Sequence, residues 1–164
     1  RADGVIDLSG IVKADAIAAG AQVLRAHGIT EFSLNVGGDI LVSGDVEWPT
    51  AIGHPKDPSE MMTGVILNSD WCAIATSGTH DRGEHIWRKV TDGPIIISAT
   101  VISHDIVTSD VWATAIISGG PDMAAAASAD GCAVLYFDSE LNSFGNDAMS
   151  RLYVTVDDHG ASRT

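Results

Sequence analysis

Asp110 and Thr114 stand four residues apart within residues 100–120, TVISHDIVTSDVWATAIISGG. Thr100, Val101 and Ile102 are β-branched and open the stretch as a strand ending at Ser103. From Thr108 the pattern turns helical, with Thr108 or Ser109 as cap, Asp110 in the first turn, and Val111, Ala115 and Ile116 at helical spacing. A helix sets Asp110 and Thr114 on one face, one turn apart. A carboxylate and a hydroxyl so arranged suit a hard cation such as Mg2+. The alternative is that Asp110 only complements the positive start of the helix while Thr114 packs inward.

Four other clusters carry chemistry. Asp7-Leu8-Ser9-Gly10-Ile11-Val12-Lys13 is a strand-to-helix turn whose small pair lets a ligand approach free helix-start N–H groups. Lys13 in that first turn opposes the helix dipole, which a nearby anion would explain; an ordinary solvated lysine is the alternative. Asn35-Val36-Gly37-Gly38-Asp39 is either a plain hairpin turn or a backbone floor for a planar or phosphorylated ligand, with Asp39 as acceptor. Ala75-Thr76-Ser77-Gly78, leaving a strand, is either a turn or a small anion nest. In Glu84-His85-Ile86-Trp87, His85 is a structural histidine or a general base, with His80 and His104 as rivals. HExxH, paired CxxC, GxSxG and Walker patterns do not occur, so zinc hydrolase, α/β-hydrolase and P-loop chemistries have no support.

The elements that must position these residues follow from hydrophobic period and breakers. Strands are expected at 5–8, 31–36, 40–42, 47–53, 62–68, 71–75, 84–90, 94–103, 132–137 and 152–156, the last closing the sheet. Helices are expected at 11–27, stopped by Gly28, from Thr108, and from Pro121 to about 130. Residues 76–83 read as a polar turn, and the tail 159–164 as frayed. Neighbouring strands without crossover helices predict an α+β fold with a mostly antiparallel or mixed sheet and a few packed helices.

The 164 residues fit one domain with a sizeable core. A formal net charge of −13 argues against nucleic acid or an anionic membrane surface as partner. A phosphorylated small molecule would need backbone N–H groups or a metal. Cys72 and Cys132 lie in apolar runs and are expected as two buried thiols. No run reaches the length of a membrane helix, and no charged-then-apolar leader is visible.

Taken in order, DLSGIVK, NVGGD, ATSG, EHIW and DVWAT resemble the motifs of the FAD:protein FMN transferase family, the ApbE-type flavin transferases. The resemblance spans nearly the whole chain. It implies an ApbE-like, T-fold-like domain over residues 1–164 that lacks the N-terminal part usual in the family. It implies Mg2+-assisted cleavage of FAD, transfer of FMN to a threonine or serine of an acceptor protein, and release of AMP. Asp110, Thr114 and a backbone carbonyl near Gly10 are then the metal ligands, and His85 is the catalytic base. Lys13, Asn35, Gly38, Asp39, Thr76, Ser77 and Gly78 fall where the family contacts or shapes the FAD site. The chain departs from the pattern at Ser9 and Ala14, where glycine is usual, and at Arg88-Lys89, where Asp-Pro is usual. Two other expectations share the fold: a non-catalytic FAD- or flavin-binding module, and a Mg2+-dependent FAD pyrophosphatase. An N-terminal partner segment would complete the pocket. The family is commonly exported and membrane-anchored.

Overall fold

The computed structural model describes residues 10–78 and 94–154. The turn at 7–9, the strands expected at 5–8 and 84–90, His80, His85 and the tail lie outside the described residues.

The chain begins with α1 (Val12–Ala26), whose Ala14, Ile17 and Ala21 are buried on one side. His27 closes it, and Gly28 follows at φ 78°, a left-handed stop that glycine adopts without strain. β1 (Phe32–Val36) and β2 (Asp39–Ser43) form an antiparallel hairpin in which Val36 faces Asp39. The intervening Gly37 and Gly38 both have positive φ, 58° and 92°, as a two-residue hairpin loop that matches strand twist requires. Among the described residues, β3 (Trp48–Gly53) and β4 (Met61–Leu67) pair as strands only with each other. β5 (Ala73–Gly78), β6 (Ile96–Ser103), β7 (Ala133–Asp138) and β8 (Ser143–Gly145) complete a six-stranded sheet of order β1-β2-β5-β6-β7-β8, antiparallel throughout. α2 (Ile106–Gly119), α3 (Pro121–Ala129) and the single turn α4 (Asp147–Ser150) are the remaining helices among the described residues.

The large sheet is covered on both faces. Ile74, Ile102, Val42 and Leu135 face Ile52, Val65 and Leu67 of the small sheet, with Met149 of α4. On the other face, Ala99, Val101 and Val134 pack on Ala113, Ile116 and Ile117 of α2 and Ala127 of α3. Ala73, Ala75 and Leu41 meet α1, with Ile106 of α2 joining the same cluster. Small side chains at Ala14, Ala73 and Ala75 let helix and sheet approach closely, the spacing on which the site depends. This is the α+β, antiparallel architecture that strand patterning predicts.

Several elements differ from the sequence reading. α2 starts at Ile106 because Asp105, not Thr108 or Ser109, is the cap: its carboxylate accepts the Val107 N–H at 2.9 Å. Asp110 therefore sits in the second turn. Thr76, Ser77 and Gly78 form the second half of β5, paired with Thr100, Ala99 and Ser98 of β6, instead of a turn. The stretch expected to close the main sheet instead borders the small one: Tyr153 bridges Val65, and Leu152 and Val154 exchange hydrogen bonds with Ile66 and Gly64. Both cysteines are free thiols, Cys132 buried and Cys72 partly so. Burial pushes Cys132 up to about 11 and raises Cys72 as well, so neither is an activated nucleophile.

The β7–β8 turn is tied by Asp138, whose carboxylate accepts the Asn142 side-chain amide at 2.8 Å and the backbone N–H groups of Glu140 and Asn142 at 2.9 Å. These bonds, the Asn142 side chain first, hold its pKa below 3.8. A depressed carboxyl pKa stabilises the fold above the unfolded value and loses that contribution as pH falls through the folded one. Asp138→Ala is accordingly expected to lower the melting temperature at about pH 7, and the gap to the parent chain should shrink at about pH 2. Thermal scans at the two pH values check this; a gap of equal size at both would contradict it.

Candidate functional site

Most of the residues singled out by sequence lie on four elements: the start of α1, the β1–β2 turn, the end of β5 and the second and third turns of α2. Asn35 braces the turn: its Oδ1 accepts the Gly38 N–H at 3.2 Å. Directly after the two glycines, Asp39 is 0% exposed. Its Oδ2 lies 2.6 Å from Lys13 Nζ, and its Oδ1 accepts the Thr76 N–H at 3.4 Å. Oδ2 has no donor in hydrogen-bond geometry among the described residues, so its contact with Lys13 is one of charge. The anion that the lysine in the first turn called for is thus a buried carboxylate of the same chain. Lys13 keeps 26% of its side chain exposed.

Period-two alternation along β5 sends the next side chains to opposite faces. Ser77 turns toward the helices, and its Oγ lies 3.0 Å from Thr114 Oγ1 on α2. Thr76 turns the other way, its Oγ1 2.9 Å from Thr100 Oγ1 across the β5–β6 pair. Asp110 lies one turn before Thr114 on α2 and is 7% exposed. Gly10 is exposed, two residues before α1, whose N-cap Ile11 supplies no side-chain cap. The structure therefore links Lys13, Asp39, Thr76, Ser77 and Thr114 by successive contacts, with Asp110 on the same helix as the last. Among the described residues Gly10 stands apart from these contacts, and His85 lies outside the described residues.

On the Thr76 face a cleft of about 300 Å3 opens between the two sheets. Gly37, Gly38, Thr76 and Gly78 line it, together with residues the sequence did not single out: Thr50–Gly53 of β3, His54 and Ser98. Two backbone N–H groups, of Lys56 and Asp57, donate to His54 Nδ1 at 3.1 and 3.0 Å. That leaves Nε2 carrying the proton, a donor on a fixed ring. The only signal for this wall was a run of small residues ahead of a proline-bearing loop.

Among the described residues, no three His, Cys, Asp or Glu side chains converge on a metal position. With Ser77 Oγ 3.0 Å from Thr114 Oγ1, Asp110 and Thr114 stand one turn apart on α2, a carboxylate and a hydroxyl on one helix face. That pair fits a hard cation that takes its remaining ligands from backbone, water and a bound phosphate.

The fold is a two-sheet α+β domain in which α1, α2 and α3 cover one face of the large antiparallel sheet and the small sheet with α4 covers the other. The ApbE family model matches residues 1–136, and the chain belongs to the ApbE family. The FAD:protein FMN transferase of Vibrio cholerae is 31% identical over 132 residues, 71% of this chain and 39% of that protein. Its Escherichia coli K12 counterpart is 28% identical over 159 residues, 87% of this chain and 45% of that protein. The chain thus spans less than half the length of these relatives. Among solved structures, the flavin transferase ApbE from Vibrio cholerae aligns with TM-score 0.71 at 26% identity, over 90% of this chain and 52% of that one. The ApbE protein of Thermotoga maritima shares the fold with TM-score 0.73 at 19% identity, over 92% of this chain and 54% of that one.

Thr114→Val keeps the shape of the side chain but leaves the Ser77 hydroxyl without its partner on α2. The expected cost is about 1 kcal/mol, the net worth of a partly buried hydrogen bond. Thr114→Ser, which retains the hydroxyl, should cost less. Urea unfolding of the two variants checks the order, and Thr114→Val as stable as the parent would contradict the contact.

Proposed function

We propose that the chain carries the transfer chemistry of a FAD:protein FMN transferase. FAD is the substrate, and a threonine or serine hydroxyl of another protein is the acceptor. The observation that carries this reading is that β5 joins two contacts, its Thr76 N–H to Asp39 with Lys13 and its Ser77 hydroxyl to Thr114, in a member of a family whose named relatives are FAD:protein FMN transferases. A dinucleotide diphosphate carries negative charge that an acidic protein must meet locally. The start of α1, which has no side-chain cap among the described residues, and the Lys13 ammonium supply that positive potential.

In the reaction proposed, the acceptor oxygen bonds to the phosphorus of the FMN half, the bond from that phosphorus to the bridging oxygen breaks, and AMP leaves. The acceptor proton passes to a base. His85 is the residue that the family resemblance implies for that role. Asp110 and Thr114, with the Gly10 carbonyl, would hold Mg2+, which when bound offsets diphosphate charge and charge developing on the leaving phosphate. Lys13 binds and orients the diphosphate, while Gly37, Gly38 and Thr76 shape the floor between hairpin and cleft. A segment equivalent to the remaining length of the relatives would complete the enclosure around the dinucleotide.

The test is incubation of the chain with FAD, Mg2+ and a threonine- or serine-bearing acceptor protein. AMP release and covalent flavin fluorescence on the acceptor are expected, and both should fall about 100-fold in Asp110→Asn, the scale of losing one stabiliser of transition-state charge. AMP release without labelled acceptor would instead assign a FAD pyrophosphatase. FAD binding that survives Asp110→Asn, with no AMP from either protein, would assign a non-catalytic flavin-binding module.

A further inference from the structure

We propose that Asp39 is a positioning residue, acting on the ligand only through Lys13. This rests on the reading of the α1 start as the binding place of an anionic dinucleotide. Asp39 is 0% exposed, so no ligand reaches its carboxylate. Burying a carboxylate at that depth is costly without a compensating charge beside it, and Lys13 Nζ lies 2.6 Å from Oδ2.

The constraint also works on Lys13. In the first turn of α1 an ammonium is repelled by the helix dipole and, on a flexible four-carbon stem, would swing out into water. Asp39 holds it back. The stem runs beside Gly37: a Cβ built there would lie 4.0 Å from Lys13 Cδ. Thr76 N–H fixes the second carboxylate oxygen at 3.4 Å, which ties the arrangement to β5. Asp39 stands on one side of the ammonium, and 26% of the Lys13 side chain stays exposed at the start of α1. A cation and a helix N-terminus are thereby kept together against their mutual repulsion, which is the state a diphosphate binds most tightly. Asp39 supplies the order that the ligand would otherwise have to impose on binding.

The test compares Lys13→Met, Asp39→Asn and the double variant by titration with FAD, with ADP as a bare diphosphate probe, and with riboflavin, which has no phosphate. Each single variant is expected to weaken FAD and ADP by about tenfold, and the double variant by no more than Lys13→Met alone. Riboflavin affinity should not change. Additive losses, or an equal loss for riboflavin, would assign Asp39 a merely structural role and overturn the proposal. Unchanged FAD affinity in Asp39→Asn would overturn it while leaving the transferase reading intact; an unmodified chain that binds neither FAD nor ADP would overturn both. Should Asp39→Asn fail to fold, 15N-lysine spectra of the unmodified chain decide. A slowly exchanging Lys13 ammonium signal, assigned by its loss in Lys13→Met and shifted by ADP, is expected. A Lys13 signal that exchanges as fast as that of a solvated lysine would overturn the proposal.

Discussion

Asp39 is a carboxylate with no exposed surface, and the start of the fold is arranged around its pairing with the Lys13 ammonium. Asp39 opens β2, Lys13 sits in α1, and Thr76 belongs to β5, so three elements meet on its two oxygens. Removing a charge of this kind from water costs several kcal/mol, which a single well-placed ammonium and a backbone N–H offset only when they stay put. The two-glycine turn fixes where Asp39 enters the sheet, and the alanines beneath α1 fix how near Lys13 can come. Packing precision is thereby converted into a placed positive charge.

The second constraint is the two-residue period of β5. Because successive side chains leave on opposite faces, one short strand serves two environments. Ser77 reaches Thr114 and joins the sheet to the helix that bears Asp110, while Thr76 points with Gly78 into the cleft beneath the small sheet. Its neighbour β6 is buried at seven of its eight positions, which gives the site a rigid floor. A site shared between a helix start, a hairpin turn and a central strand can be held to tenths of an ångström, as phosphate chemistry requires.

Much of this was legible in the sequence. The hairpin was readable because Gly37-Gly38 between two short apolar strands favours a tight turn, and α1 because its apolar spacing ends at Gly28. The order of five short motifs pointed to the ApbE family before any contact was known. The start of α2 was not legible: Asp105 competes with Thr108 and Ser109 as a cap, and the bond from the Val107 N–H to the Asp105 carboxylate decides among them. Thr76-Ser77-Gly78 looked like a turn because its composition is polar, yet pairing with β6 overrides local preference. The partner of Lys13 lay 26 positions away in sequence, a separation at which no periodicity connects two residues. The cleft wall at Thr50–Gly53 and His54 escaped for the same reason: proximity there is made by the stacking of one sheet on another.

The most direct measurement of the central claim is a folding double-mutant cycle on Lys13 and Asp39 by chemical denaturation. If the buried carboxylate depends on the ammonium, Lys13→Met alone should cost about 2–3 kcal/mol, a figure reduced for the partial exposure of the lysine. Adding Asp39→Asn to it should then restore most of that loss, since a neutral amide no longer needs the charge. A Lys13→Met chain within about 0.5 kcal/mol of the parent, or a double variant less stable than either single one, would contradict the account.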